Sequence, residues 1–423
     1  MNRTGYLGDL LNQLVERSIV PLRGSAGKDM PSMCAALMKG AGEVSTMRLA
    51  RDILGAYARM DDAAKRAFFI HLASAYDIHP DAVAQAALNY GTAQDVKHLR
   101  MLLHLAEPRR QELLRRLNHA PGATVELVRM RRDLLGLMGE LPELARVDLD
   151  FGHLFQSWFN RGFLVLRQIT WDSPARLLEK IIEYEAVHEI GDWEALRARV
   201  DPRDRRCFAF FHPAMPDEPL IFVEVALVKG VPGSVDALLA EGRTPLDPAR
   251  ADTATFYSIS NCQAGLKGIS FGNSLIKQVV ALLQQDLPHL RQFVTLSPIP
   301  GLRRWLEERA EAGDAAASEL LDAPEPDPTQ LRRLSAHYLL GARDRNDRPR
   351  DPVARFHLNN GALVHDIHAA ADLSPRGRKQ SLGTMVNYLY NIDQVEAHHE
   401  SYAAQGKIAA TRTVRQLARA ASE

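Results

Sequence analysis

Thr253–Gly301 reads TATFYSIS, NCQAGLKGISFGN, SLIKQVVALLQQDL, PHLR and QFVTLSPIPG, and this stretch decides the fold. Thr253–Ser260 alternates and is rich in aromatic and β-branched side chains, which predicts a strand. Gly265, Gly268 and Gly272 then lead into an amphipathic helix carrying Leu275, Ile276, Val279, Val280, Leu282 and Leu283. Glycines let a backbone approach a ligand closely, and the free N–H groups at a helix start suit a phosphate. Phe293–Leu296 is the next predicted strand, ended by Ser297-Pro298. A strand–helix–strand unit of this length favours parallel pairing. The glycine loop and Ser297 then share the carboxyl edge of two neighbouring strands, where α/β sheets bind ligands.

The flanking sequence divides by pattern. Before Pro142 the chain is helical, with stripes such as Leu49, Ile53, Leu54 and Tyr57 over Met47–Met60, capped by Ser45 or Thr46. Helices are expected over Asp61–Tyr76, Asp81–Tyr90 with Gly91 as its stop, and Val96–Ala106. Pro108 opens the next helix, and Thr124 caps the one that follows Pro121-Gly122. Strands follow after Pro142: Cys207–His212, Leu220–Val228, Thr253–Ser260 and Phe293–Leu296, with Pro213–Pro219 as a turn between the first two. Glu311–Gln330, rich in Ala, Asp and Pro, is expected to be an exposed, mobile connection. The fold class is therefore α+β: residues 1–146 as an all-α bundle for scaffolding or oligomerisation, and 147–423 as a mixed α/β domain carrying the chemistry.

Composition narrows the function. The 423 residues carry 52 Lys plus Arg against 52 Asp plus Glu, a balance that argues against a dedicated nucleic-acid binder. Cys34, Cys207 and Cys262 are scattered and match no zinc spacing, the pattern of a reducing compartment. No apolar run reaches the roughly 20 residues of a membrane span. The opening MNRTGYLGDLLNQLVERS contains Asp9 and Glu16 and lacks a signal-peptide core, so the cytoplasm is the expected location.

Candidate chemistry lies further on. In DPVARFHLNNGALVHDIH, Asp351 and Pro352 start a short helix, Asn360-Gly361 stops it, and His357 sits in its later part. The helix dipole there favours an imidazolium suited to general-acid work. Asn359 is a possible hydrogen-bond donor to a ligand oxygen, and Arg376 a possible partner for an anionic group. Tyr388 and Tyr390 stand two apart on an expected helix, so they are not expected to share a face. His365 and His368 have loose metal-like spacing without a supporting cluster, and no metal site is expected.

Taken together, FYSIS, QAGLKGISFG, LSPIPG, ARFHLNNGA and SPRGRKQSLGTMVNYLY resemble the malonyl-CoA decarboxylase family, a likeness that extends from about Met47 onward. The resemblance implies a helical N-terminal domain and a catalytic domain similar to the acyl-CoA N-acyltransferase fold. It also implies decarboxylation of malonyl-CoA to acetyl-CoA without a metal or organic cofactor, by a homo-oligomer (dimer or tetramer). The family's catalytic serine falls on Ser297 and its catalytic histidine on His357, and the coenzyme A loop on Lys267, Gly268, Ile269, Ser270, Phe271, Gly272 and Asn273. That loop departs from the usual acyltransferase pattern, in which the last two glycines stand closer together. An acyltransferase on the same fold and a non-catalytic acyl-CoA sensor are the alternatives.

Overall fold

The computed structural model describes residues 29–40, 42–271 and 275–421. Two compact units divide the chain, the first ending at Phe155 and the second starting at Gln156. The N-terminal unit is helical over Met30–Lys39, Glu43–Ala58, Asp62–Ala75, Pro80–Ala93, Val96–Ala106, Arg109–Leu117 and Ala123–Leu137, and it holds most of the Ala145–Trp158 helix, which runs across the boundary. Phe69, Leu113, Leu117, Leu127, Leu134 and Phe151 are fully buried in it. Each such side chain contributes on the order of 1.5–3 kcal/mol when taken out of water. Gly91 does not stop its helix. The chain runs on to Ala93 and ends with Gln94 in the left-handed region. Ser45 and Thr46 lie inside their helix, one turn after its true start at Glu43, and Thr124 likewise follows the Gly122 cap.

The second unit is built on one mixed sheet. Among the described residues its strands are β1 (Val165–Ile169), β2 (Arg205–His212), β3 (Met215–Val228), β4 (Thr253–Asn261), β5 (Gln292–Thr295), β6 (Ser297–Pro298), β7 (Leu363–His368) and β8 (Met385–Leu389). Their order is β1-β2-β3-β4-β5-β8-β6, with β7 also paired to β8. Only β4 and β5 run parallel; the other pairs are antiparallel. The Leu275–Asp286 helix links β4 to β5. The interior residues of β3 and β4 are buried almost continuously, polar ones such as Glu224, Thr255 and Ser258 included.

Two expectations fail here for clear reasons. Glu311–Gln330 is largely helical, because Asp314 and Asp327 cap helices at Ala315–Asp322 and Pro328–Gly341 while Ala317 and Leu320 are buried. The Pro213–Pro219 turn shrinks to Pro213-Ala214, since β3 already begins at Met215 and absorbs Pro219 at an irregularity in the ladder. A third reading also changes. Tyr388 belongs to β8 rather than a helix, and Tyr390 follows it at once. Along a strand, residues two apart share a face, and the two phenols converge on one partner as described below.

Candidate active site

Ser297 is placed by a gap in a ladder. Val294 of β5 pairs with Leu389, and Ser297 of β6 pairs with Val386, three residues along on each strand, so the register is the same on both sides. Between them side chains replace backbone bonding. The Tyr388 amide donates to Thr295 Oγ1 at 3.2 Å, and Asn387 Nδ2 donates to the Thr295 carbonyl at 2.9 Å. Leu296 stays bonded to β4 through its amide and the Phe256 carbonyl at 2.9 Å. Ser297 therefore emerges at the carboxyl end of the parallel pair, as the sequence implied.

His357 arrives on the Pro352–Asn359 helix. The Asp351 carboxylate caps this helix at the Ala354 amide, 2.8 Å away, and Pro352 occupies its first position. Gly361, at φ +82°, turns the chain out of it. A Cβ there would collide with the Val395 carbonyl, so only glycine fits. The helix delivers His357 Nε2 to 3.1 Å from Ser297 Oγ, although sixty positions separate them. On the far side of the ring Nδ1 meets the Tyr390 hydroxyl at 2.9 Å. The Tyr388 ring stacks on the imidazole with centroids 4.5 Å apart and planes 23° from parallel.

The electrostatics reverse the expectation of a standing imidazolium. Burial alone pulls the His357 pKa down to about 3. The Tyr390 and Tyr388 phenols are themselves buried and held above their ordinary range, so the ring beside them is neutral. Desolvation of the charged form outweighs the helix-end dipole, which falls off within the last turn and acts best on exposed groups.

The pair opens into a pocket of about 280 Å³. Val187, Phe256, Ile259, Val353 and Phe356 give it apolar walls, and Asn261, Ser297 and His357 add polar side chains. Typical small-molecule sites run from about 300 to 1,000 Å³. The volume therefore suits the acyl end of a larger ligand rather than the whole of one.

The other sequence candidates lie elsewhere. Lys267–Phe271 forms the loop between β4 and the Leu275–Asp286 helix, with Lys267, Gly268 and Ser270 exposed and Ile269 buried. Gly268 sits at φ +81°, the conformation that explains a glycine there. Gly272 and Asn273 lie outside the described residues. Asn359 is exposed and is not among the pocket walls. Arg376 is exposed on the Pro375–Ser381 helix. His365 and His368 lie on β7, with His368 Nε2 2.5 Å from Asn387 Oδ1. Thr295, Asn387 and the role of Tyr390 escaped sequence reasoning. The period-2 spacing of Thr295 and Ser297 was the one local signal for the first of them.

A buried hydroxyl–imidazole pair at the carboxyl edge of a parallel strand pair, behind a small pocket, defines a mixed α/β enzyme domain carried with a helical unit. Comparison with known proteins makes this specific. Residues 76–159 match the malonyl-CoA decarboxylase N-terminal domain, and residues 162–423 match the malonyl-CoA decarboxylase C-terminal domain. The mitochondrial malonyl-CoA decarboxylase of Rattus norvegicus is 32% identical over 418 residues, covering 86% of this chain and 84% of that protein. Its counterpart from Anser anser anser is 35% identical over 348 residues, 73% of this chain and 69% of that protein. Among solved structures, malonyl-CoA decarboxylase from Rhodopseudomonas palustris superposes with a TM-score of 0.87 at 47% identity, covering 92% of this chain and 98% of that one. The Agrobacterium vitis structure of the same name gives 0.84 at 44% identity, covering 92% and 99%. The chain belongs to the malonyl-CoA decarboxylase family.

Proposed function

We propose that this chain converts malonyl-CoA to acetyl-CoA and carbon dioxide, and that Ser297 and His357 carry the step without a metal ion or organic cofactor. The observation behind the residue assignment is the 3.1 Å contact between Ser297 Oγ and His357 Nε2 inside the pocket. Family membership supports the substrate.

The chemistry needs few groups. The thioester carbonyl of malonyl-CoA is already an electron sink. Cleavage of the bond between C2 and the carboxylate sends its electron pair into that carbonyl as an enolate, and carbon dioxide leaves. The enolate then takes one proton at C2. His357 is neutral in the free site because nothing near it repays the cost of a buried charge. The incoming malonyl carboxylate is the missing countercharge. Its arrival raises the affinity of the ring for a second proton, taken up at Nδ1, and the imidazolium delivers its Nε2 proton to C2 as the carboxylate departs. One proton is taken up per turnover, and the ring returns to neutral. Ser297 Oγ hydrogen-bonds the reacting end and keeps it in line; a positioned acid contributes about 10²- to 10⁴-fold.

In this reading the Lys267–Phe271 loop, continued through Gly272 and Asn273, receives the phosphates of coenzyme A, and Arg376 serves the same anionic ligand. The enzyme works as a cytoplasmic homo-oligomer, a dimer or tetramer, which light scattering tests. The deciding experiment incubates chelator-treated protein with malonyl-CoA alone and follows acetyl-CoA by mass spectrometry. Acetyl-CoA should form without any acceptor. No product sinks the substrate assignment, and loss of activity on chelation with recovery on adding metal sinks the cofactor-free route. Undiminished turnover in Ser297→Ala or His357→Ala sinks the residue assignment.

A further inference from the structure

We propose that Thr295 is a positioning residue for this pair: its hydroxyl, anchored by the Tyr388 amide, aims Ser297 Oγ at His357 Nε2 and fixes which of the two carries the shared proton. The inference rests on the catalytic reading of Ser297 and His357 above.

Thr295 is fully buried and precedes Ser297 by two residues, so both side chains leave the strand on the same face. Ser297 Oγ donates to Thr295 Oγ1 at 2.8 Å, and the Tyr388 amide donates to the same oxygen at 3.2 Å. An amide N–H can only donate, and a hydroxyl oxygen has two lone pairs. Both lone pairs of Thr295 Oγ1 are thereby used. The backbone behind this hydroxyl is held as well. Asn387 Nδ2 donates to the Thr295 carbonyl and, at 3.1 Å, to the Pro232 carbonyl, while Asn387 Oδ1 meets His368.

The consequence is directional. With its proton committed to Thr295, Ser297 offers His357 a lone pair. Nε2 must then carry the hydrogen, and Nδ1 accepts from the Tyr390 hydroxyl. The ring presents an N–H to the pocket, which is the polarity a proton donor needs. Without the Thr295 hydroxyl, Ser297 is released to other staggered rotamers or turns its proton onto Nε2. The imidazole then flips to the Nδ1–H tautomer and presents a lone pair instead.

Steady-state kinetics of the full chain with malonyl-CoA test this. Thr295→Val should lower kcat about 10- to 100-fold, the scale of a misaligned reacting group, with KM changed less than about threefold. Thr295→Ser, which keeps the hydroxyl, should stay within about threefold of the parent in kcat. In a Ser297→Ala background, Thr295→Val should lower the residual rate by less than about twofold, because the group it orients is gone. If the valine variant does not fold, Thr295→Ala replaces it in the same comparisons. Parental kcat in Thr295→Val, equal impairment of Thr295→Ser, or an undiminished effect in the Ser297→Ala background each overturns the proposal. Full activity in Ser297→Ala alone would instead overturn the underlying assignment of the site.

Discussion

Two buried polar clusters in the α/β unit invite comparison. Behind the pocket wall, Arg199 donates to Glu224 Oε2 at 3.2 Å and to the carbonyls of His188 and Glu189 at 2.8 and 3.0 Å. Close by, the Glu185 carboxylate receives the amides of Val187 and His188 at 2.7 and 2.8 Å and the Ser258 hydroxyl. This network ties down the segment that carries Val187, one wall of the pocket. Every full charge named in it meets an opposite charge or several N–H and O–H donors within the chain. At Ser297 and His357 the burial is similar but the partners are neutral: a threonine, two tyrosines and a phenylalanine. The first arrangement holds its charges within the chain and serves as scaffold, although Glu224 Oε1 has no hydrogen-bond partner. The second holds no charged partner among the residues that touch the ring, and in the proposed reaction a malonyl carboxylate supplies the countercharge.

The largest effects should separate the two clusters cleanly. His357→Asn is expected to lower kcat by about 10²- to 10⁴-fold, measured as acetyl-CoA formation, while the thermal midpoint at pH 7.5 falls less than in Arg199→Met. Arg199→Met should do the opposite. It removes the donors to Glu224 and to the His188 and Glu189 carbonyls, at a cost of about 1–3 kcal/mol in urea unfolding, with kcat of the folded fraction within a few-fold of the parent. A large loss of kcat in folded Arg199→Met would merge the clusters into one functional unit and break the comparison.

The first cluster could not be read from the sequence and half of the second could, and the reason is locality. The strand at Thr253–Asn261, the Asp351-Pro352 start and the Gly361 stop each follow from short-range rules, and all three stand in the structure. What stayed hidden depends on pairings distant in sequence. MVNYLY does not alternate visibly because Met385, Val386, Asn387 and Tyr388 are all buried, so Tyr388 and Tyr390 gave no strand signal. The neutrality of His357 was equally invisible. The dipole at its helix end is a sequence-local quantity, whereas desolvation depends on everything folded around it.

Titration sharpens the contrast, because the clusters pull in opposite directions. His357 is depressed to about 3 in the folded protein against roughly 6.5 in an unfolded chain. Between those values the unfolded state binds more protons, so this contribution is whole above about pH 6.5 and is lost as the pH falls toward 3. Glu224 is raised by burial to about 8, against an ordinary 4.5. There the folded state binds more protons, so its contribution is whole below 4.5 and is lost as the pH rises through about 8. Thermal midpoints from pH 4 to 9 should show His357→Asn gaining on the parent as the pH drops. Glu224→Gln should gain on it as the pH climbs. Parallel curves for either variant would remove that group from the linkage.

The smallest effect lies where scaffold and chemistry meet. Asp351 is buried, caps the helix that carries His357, and has its pKa raised by burial to about 6. Asp351→Ala removes the acceptor of the Ala354 amide, and loss of such a cap costs about 1 kcal/mol. The same change frees the helix start and lets Nε2 drift from Ser297, so kcat should fall with stability. Asp351→Asn keeps an oxygen at the cap and should recover most of both. The two carboxylate-linked effects also separate by pH: in the parent the cap weakens as the carboxylate protonates below about 6, while in Asp351→Asn it does not. A kcat profile measured from pH 5 to 8 should therefore be flatter on its acid side in Asp351→Asn than in the parent. An unchanged profile would leave Asp351 as a helix cap with no reach into the chemistry.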